Sequence, residues 1–277
     1  VEDIEAFLTA REYAFFRNGL AVSVLAGALC GLVGTFVVLR GMSYLGHGLS
    51  HAVFGAAAVG SVVGVGYYAA AGLGGLFTAL TIGRLSSRRV LRADAVIGVV
   101  TTASLAVGVA ALARWGQARR SLDAVLFGSI LGVEPLDVGV IAFLAALTAT
   151  VVALRYRTLL FATFDPEVAK AAGIRVDRLD DLLMALLALT VLGTMQVIGA
   201  VLVSATLVIP AATVRLITPR FGAMLVGSTV WGAVTGGVGM IAAYHLDVPP
   251  GAAITLVAAL GFVAAALAGR AARRLRT

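Results

Sequence analysis

Residues 41–83 read GMSYLGHGLSHAVFGAAAVGSVVGVGYYAAAGLGGLFTALTIG and contain no charged side chain. A membrane-spanning helix needs roughly 20 apolar residues, so this run predicts two successive crossings. Inside it stand His47 and His51, which are two of the three histidines in the protein. Residues four apart lie on the same face of a helix. The sequence therefore predicts two imidazoles that point the same way from a helix within the membrane.

The composition of the whole chain agrees with a membrane location. Of its 277 residues, 60% are hydrophobic and only 13% are charged. A soluble domain has about 25% charged residues, so this chain has too few to cover its surface in water. The net charge of +7 comes largely from arginines at the ends of apolar runs, which the positive-inside rule explains without nucleic acid as a partner. We predict one transmembrane domain, residues 1–277.

The apolar runs predict an all-α, polytopic bundle of about eight to nine transmembrane helices. Residues 1–17 mix acids, arginines and aromatics, a composition typical of a short amphipathic helix at the membrane interface. Residues 122–133 are apolar but too short to cross, which indicates a half-helix or a re-entrant segment. The expected spans cover residues 19–39, 45–64, 68–83, 95–113, 138–154, 182–214 (divided near residues 194–196), 221–246 and 252–269.

The chain lacks the sequence features of an energy-converting site. Its only lysine stands in Ala169-Lys170-Ala171, so there is no phosphate loop of the Gly-x-x-x-x-Gly-Lys-Ser/Thr type. Few acidic residues lie inside the spans, which disfavours a proton relay built from carboxylates. We therefore expect the energy for any transport to come from a partner protein.

The polar segment 164–174 predicts a short helix with signals at both ends. Its small alanines, including Ala169, could seat in a groove on another protein. An ordinary capped loop helix is the alternative on the residues alone. The signals are Asp165 as the N-cap, Pro166 at the first helical position, Glu167 at the positive end of the helix dipole and Gly173 as the stop.

Three interpretations of the histidine pair are open on the residues alone. Each imidazole could bind a backbone carbonyl or a serine in a structural role. The spacing also matches half of the His-Glu-x-x-His motif of metalloproteases, but Gly48 stands where that motif has its general base. The third interpretation is a transient metal site, completed by water, by Ser50 or by a second subunit. An incomplete ligand set suits transport because it releases its ion.

Six short stretches, in this order and spacing, resemble the membrane permeases of the metal-ion ABC importers, often called the ABC-3 family. That family serves zinc, manganese and iron. The resemblance covers nearly the whole chain, from about residue 16 to residue 268. The stretches are VLRGMS (38–43), LSHAV (49–53), DAVIG (94–98), LFGSILG (126–132), FDPEVA (164–169) and VIPAAT (208–213).

The resemblance implies partners that the chain itself does not contain. It implies a second permease copy, expected as a homodimer, an ATP-hydrolysing subunit, and an extracytoplasmic metal-binding protein. The permease is then not catalytic itself and holds no permanent cofactor, since ATP binds to the partner. The resemblance also implies a bacterial inner or plasma membrane and contact with lipid. Residues 164–174 become the coupling helix that docks on the ATPase, with Asp165, Pro166, Glu167, Ala169 and Gly173 as its coupling residues.

One departure from the family pattern bears on the transported ion. The family usually has Asp where this chain has His47, and replacing a carboxylate by an imidazole favours zinc over manganese. We predict an importer of a divalent transition metal, Zn²⁺ first and Mn²⁺ second, with His47 and His51 as ligands. Ser50 and His245 are further candidates for the pathway. The alternative is a stand-alone secondary metal transporter or channel that needs no ATPase.

Overall fold

The computed structural model describes residues 14–87, 93–115, 128 and 133–274, and this part of the chain forms helices without strands. The helices are α1 (Ala14–Leu39), α2 (Ser43–Val63), α3 (Tyr67–Ser87), α4 (Ala93–Trp115), α5 (Pro135–Leu154), α6 (Tyr156–Phe164), α7 (Pro166–Ala171), α8 (Val176–Ile198), α9 (Val203–Ile217), α10 (Phe221–Leu246) and α11 (Pro250–Arg274). Six of these described helices, α1, α4, α5, α8, α10 and α11, are long and apolar enough to cross a membrane. The predicted all-α membrane bundle is confirmed.

Two ion pairs bring one set of helix ends together. Arg40, which follows α1, pairs with Asp180 near the start of α8. Arg84, near the end of α3, lies 3.8 Å from Asp181. The ends of α1 and α3 therefore meet the start of α8 on one side of the bundle. We call this side the arginine end, defined by Arg40, Arg84, Asp180 and Asp181.

A second polar cluster marks the opposite side. The hydroxyl of Tyr68, at the start of α3, donates to the carboxylate of Asp137 in the first turn of α5. The side-chain amide of Gln196, in the last turn of α8, lies 3.0 Å from the same carboxylate when its nitrogen is oriented to donate. We call this side the tyrosine end, defined by Tyr68, Asp137 and Gln196. Helix α8 thus runs from the arginine end to the tyrosine end.

Helices α1 and α10 pack backbone against backbone. A Cβ atom added at Gly27 would lie 2.0 Å from the carbonyl oxygen of Gly232, and one added at Gly31 would lie 1.9 Å from that of Ser228. Small residues at four-residue spacing allow this close approach of membrane helices. We call this contact the α1–α10 seam, defined by Gly27, Gly31, Ser228 and Gly232. It makes the two helices one closely packed unit.

The buried apolar side chains form a large core and a smaller one near the arginine end. The large core includes Leu49 and Val53 of α2 together with residues of α1, α3, α4, α8 and α9. The smaller one, the lower core, contains side chains of α1, α5, α6, α7, α8 and α10. The lower core therefore anchors even the six-residue α7 to the membrane helices. Its members include Phe36, Leu159, Ala169, Leu183 and Phe221.

The break between α2 and α3 and the break between α8 and α9 lie at glycines with positive φ angles. The break between α2 and α3 follows Gly64, with φ +82°, where the sequence predicts it. The break between α8 and α9 lies at Gly199, with φ +87°, and the division predicted near residues 194–196 is displaced to it. Glycine adopts this backbone region without steric cost. Gln196 therefore lies within α8 and not at its end.

Two expectations fall mostly outside the described residues. Of the interfacial helix expected over residues 1–17, residues 1–13 lie outside them, and residues 14–17 form the first turn of α1. The half-helix expected over residues 122–133 lies outside them except for Gly128 and Val133.

Candidate metal-binding site

A tight turn between α1 and α2 sets the direction in which the histidines point. Gly41 adopts a φ of +66°, and the backbone N–H of Met42 donates to the carbonyl of Val37 at 2.9 Å. This is the Schellman arrangement, which ends a helix at a glycine. Helix α2 begins two residues later at Ser43. The turn is short, and the backbone N–H groups of residues 40–42 are all hydrogen-bonded to the end of α1, so the start of α2 is held close to that end.

The first turns of α2 place both imidazoles on one exposed side. His47 is exposed, His51 is half-buried, and Tyr44 is 73% exposed on the same side. We call this surface the histidine face, defined by Tyr44, His47 and His51. The prediction that the two imidazoles share one side of a helix is therefore confirmed.

The two imidazoles are close enough to bind one ion. Their ring centroids are 4.6 Å apart with the planes at 86°, and the two Nε2 atoms are 3.3 Å apart. Two nitrogens that bind one zinc ion tetrahedrally at about 2.0–2.1 Å lie about 3.3 Å from each other. The same separation allows an N–H···N hydrogen bond when no ion is present. The pair can therefore act as a two-nitrogen chelate without rearrangement of the backbone.

Two glycines beside His47 allow α2 to pack closely on its buried side. A Cβ atom at Gly48 would lie 2.7 Å from the methyl carbons of Ile97 and Thr101 on α4, and Gly46 lies against Ser204 of α9. Helices α4 and α9 therefore support α2 from behind. The histidine face remains the uncovered side of the helix.

The contacts of His47 and His51 distinguish among the structural, metalloprotease and metal-site interpretations of the histidine pair. The structural interpretation expects each imidazole to bind a carbonyl or a serine, but the bond that the imidazoles make is to each other. Within the described ranges, no group of three or more His, Cys, Asp and Glu side chains is placed to hold a metal ion. A metalloprotease needs a carboxylate base beside its zinc, and Gly48 follows His47. His47 and His51 are therefore the candidate ligand pair, with their Nε2 atoms 3.3 Å apart.

The two further pathway candidates lie elsewhere. Ser50 is fully buried, and its hydroxyl donates to the carbonyl oxygen of His47 at 2.8 Å. His245 is exposed in the last turn of α10, which starts at Phe221 in the lower core. At 1.5 Å per residue, His245 lies about 36 Å further along that helix. The structure does not bring His245 together with the histidine face.

Helix α7 has the local structure that its sequence predicts. The Asp165 carboxylate accepts a hydrogen bond from the backbone N–H of Val168 at 3.0 Å, and Pro166 occupies the first position. Gly173, with φ +82°, follows the helix, and the Ile174 N–H bonds to the carbonyl of Ala169. The helix has six residues, which is shorter than the two turns expected over residues 164–174.

The two sides of α7 differ in exposure. Ala169 is fully buried in the lower core, so it anchors the helix to its own chain. Glu167 and Lys170 are exposed, and Val168 is 49% exposed between them. The exposed surface of α7 therefore includes these three side chains together with Pro166 and Ala171.

The sequence predictions missed the polar contacts at both ends of α8. Asp137 lies three residues after Glu134, with Pro135 between them at the first helical position, and the two acids form a capping box. That pattern predicts a helix start, but no pattern predicts that the carboxylate also binds Tyr68 and Gln196. The pairing of Arg40 with Asp180 likewise depends on contacts across 140 positions of sequence.

The described helices form a polytopic bundle, and one of them carries two imidazoles on an uncovered face. The chain belongs to the ABC 3 transport family, whose model matches residues 12–269. It is a metal-ion ABC transporter permease.

Individual relatives cover almost the whole chain. It is 35% identical over 253 residues to the manganese transport system membrane protein MntC of Halalkalibacterium halodurans, covering 91% of this chain and 87% of the relative. It is 31% identical over 254 residues to the probable iron transport system membrane protein of Haemophilus influenzae, covering 92% and 93%. The solved structure of PsaBC from Streptococcus pneumoniae in complex with Fab is similar with a TM-score of 0.85 at 32% identity, covering 95% of both chains.

Proposed function

We propose that this permease imports a divalent transition metal ion past His47 and His51, with ATP hydrolysed on a separate subunit. The observation that carries the proposal is the pair of Nε2 atoms, 3.3 Å apart on an uncovered helix face. Ionisable side chains in a membrane bundle are costly and are usually functional. Two protein ligands hold an ion loosely enough to pass it on, as conduction requires.

Manganese is the first candidate for the transported ion, and zinc is the second. The similar proteins are named for manganese and iron transport, which reverses the order that two imidazoles alone suggest. Mn²⁺ suits carboxylate, carbonyl and water oxygens better than imidazole. Oxygens from outside the pair therefore complete its coordination. The ion is a substrate in transit, and no permanently bound cofactor is part of the proposal.

A second copy of the permease completes the pathway. The histidine face provides two ligands, and the described part of the chain places no third His, Cys, Asp or Glu beside them. The face is also uncovered in one chain. A homodimer in which this face turns towards the partner supplies further ligands and excludes lipid from the ion.

The two ends of the bundle face different partners. The arginine end is cytoplasmic, because cytoplasmic ends of membrane helices carry an excess of arginine and lysine. There α7 is the coupling helix, with Glu167, Val168 and Lys170 towards the ATP-hydrolysing subunit. The tyrosine end faces an extracytoplasmic metal-binding protein that delivers the ion. The membrane is the inner or plasma membrane of a bacterium.

The order of the helices supports nine crossings. Eight described helices have 20 or more residues. Helix α9 has 15 residues and spans only about 22 Å. It nevertheless joins the end of α8 to the start of α10, which lie at opposite ends of the bundle. Residues 199–202 and α9 therefore make one crossing together, and the first residues of α1 lie outside the cytoplasm.

Uptake of Mn²⁺ by cells that carry single variants tests the site. His47→Ala and His51→Ala are expected to reduce uptake by roughly tenfold or more, since even an outer-shell change at a metal site costs about 10–100-fold in affinity. His245→Ala is the control and is expected to transport normally. Normal uptake by both histidine variants, at wild-type protein levels in the membrane, would remove the site assignment.

Copurification tests the ATPase partner and separates the importer from a stand-alone transporter. The importer is expected to retain a stoichiometric ATPase when it is purified in mild detergent, whereas a stand-alone transporter retains none. Val168→Asp places a charge on the exposed side of α7 and is expected to release the ATPase while the permease stays folded. Ala169→Pro removes the backbone bond from Ala169 to Asp165 and is expected to uncouple ATP hydrolysis from uptake.

A further inference from the structure

Arg40 is a largely buried cation with contacts to two other helices. Its side chain is only 12% exposed. One terminal nitrogen pairs with Asp180 of α8, and Nε donates to the hydroxyl of Thr163 in α6 at 3.4 Å. The other terminal nitrogen is buried and has no hydrogen-bond partner among the described residues. A guanidinium has five N–H donors in a fixed planar arrangement. A small shift of Asp180 or Thr163 therefore changes the hydrogen bonds that this side chain makes.

The partners of Arg40 are the two helices that flank α7. Helix α6 leads into α7 through Asp165, and α8 follows it at Val176. The lower core joins the same elements, because Ala169 of α7 and Phe36 of α1 belong to one cluster of buried side chains. A movement of α7 therefore shifts the carboxylate and the hydroxyl that hold Arg40.

A stiff connection runs from Arg40 to the histidine face. The backbone N–H of Arg40 bonds to Phe36, that of Gly41 to Val38 and that of Met42 to Val37. Helix α2 begins at Ser43 and carries His47 one turn later. No flexible linker lies between the guanidinium and the first imidazole. A displacement of Arg40 is passed to the start of α2 because every peptide between them is hydrogen-bonded or helical.

We propose that Arg40 is the positioning residue through which movement of α6 and α7 is transmitted to the histidine face. The proposal rests on the proposed function, since it needs an ATPase that moves α7 and an ion that passes His47. Arg40 touches neither the ion nor the nucleotide. Its role is to tie the position of the histidine helix to the state of the coupling helix.

The neighbouring ion pair provides a matched control. Arg84 and Asp181 also join a helix end to the start of α8, and Asp181 is the next residue after Asp180. The guanidinium of Arg84 lies 3.8 Å from the carboxylate of Asp181, and the Arg84 side chain is 67% exposed. Exposed ion pairs contribute little because water screens them. Arg84 also lies on α3, which does not carry the histidine face.

The test is the number of Mn²⁺ ions imported per ATP hydrolysed, measured in proteoliposomes with the permease and its copurifying ATPase. Arg40→Gln is expected to lower this ratio by roughly fivefold or more, the lower end of usual coupling strengths, with the ATPase still bound. Arg40→Lys keeps the charge and is expected to restore part of the ratio. Arg84→Gln is expected to keep the wild-type ratio. If Arg40→Gln does not reach the membrane, the double variant that combines Arg40→Asp with Asp180→Arg tests the ion pair instead. A wild-type ratio of ions to ATP in this double variant, with a lowered ratio in Arg40→Asp alone, supports the proposal. A wild-type ratio in Arg40→Asp alone overturns it.

The outcomes separate this role from the proposed function. If the wild-type complex imports Mn²⁺ and Arg40→Gln keeps the wild-type ratio, the role of Arg40 is overturned and the importer stands. If Arg84→Gln lowers the ratio as much as Arg40→Gln, the effect is general to the arginine end and the role is also overturned. A wild-type complex that hydrolyses ATP without importing Mn²⁺ or Zn²⁺ overturns the proposed function itself, together with the role that rests on it.

Discussion

The α1–α10 seam and the histidine face are built in opposite ways. At the seam, Gly27 and Gly232 bring two backbones so close that an added Cβ at either would lie 2.0 Å from a carbonyl oxygen. At the histidine face, α2 is packed only from behind, and His47 is exposed. The seam leaves no room for another atom, whereas the face leaves room for an ion and a second subunit.

This difference indicates which part of the bundle can move. Backbone-to-backbone packing is lost as a whole when two helices shift, because interiors are close-packed. Side-chain contacts such as Arg40 with Asp180, or Tyr68 with Asp137, can re-form after a small displacement. We therefore expect α1 and α10 to stay together during transport. Helices α3, α5 and α8, which polar side chains join at the tyrosine end, are the ones expected to change position relative to this unit.

The largest effect is expected from breaking the seam. Gly27→Ala adds one carbon where there is no space, so both backbones have to move apart. We expect a loss of about 3 kcal/mol or more in the free energy of unfolding, at the upper end for overpacking, measured as thermal stability in detergent. Gly139→Ala on α5 is the control, because its Cβ has no heavy atom within 4 Å. A Gly27→Ala protein as stable as Gly139→Ala would contradict the close approach.

A smaller effect is expected at the tyrosine end. Tyr68→Phe removes the hydroxyl that donates to Asp137, a hydrogen bond to a charged group. Such a bond contributes about 1.5–3 kcal/mol, so we expect a loss of about 2 kcal/mol in the same measurement. Tyr44→Phe is the control, since Tyr44 is 73% exposed on the histidine face. Equal stabilities of the two variants would show that the polar cluster does not hold α3 and α5.

The metal preference of the histidine face is tested by changing the type of one ligand. His47→Asp replaces one nitrogen ligand with a carboxylate, which favours Mn²⁺ over Zn²⁺. We expect the ratio of Mn²⁺ to Zn²⁺ uptake to rise roughly tenfold, equal to about 1.4 kcal/mol. His245→Asp is the control and is expected to leave the ratio unchanged. The same rise in both variants would indicate an effect of surface charge instead of coordination.

The smallest effect is expected at α7. Asp165→Ala removes the side-chain bond to the Val168 N–H, and loss of an N-cap costs about 1 kcal/mol. Hydrogen exchange of the amides from Glu167 to Lys170 should become faster, while the rest of the chain is unchanged. Asp165→Ser keeps a capping oxygen and is expected to restore slow exchange. Unchanged exchange in Asp165→Ala would mean that the lower core alone holds α7.

The sequence by itself determined the class of fold and the local geometry of the site. The charge-free runs required helices, since in lipid a helix satisfies its own backbone groups. The four-residue spacing required His47 and His51 to share a face, and the signals at Asp165 and Gly173 required a short capped helix between them. These are local properties, so neighbouring residues suffice to predict them.

Only the tertiary structure decided which helices meet and which faces stay open. Gly27 and Gly31 stand four residues apart in α1, but this spacing does not identify α10 as the partner, because many helices of this chain are rich in glycine. Ser50 is adjacent to His51, yet its hydroxyl binds the backbone of its own helix. Arg40 reads as a residue that merely ends a membrane span, and its link to Asp180 joins positions 140 residues apart. Such contacts depend on the packing of the whole bundle, which no short stretch of sequence contains.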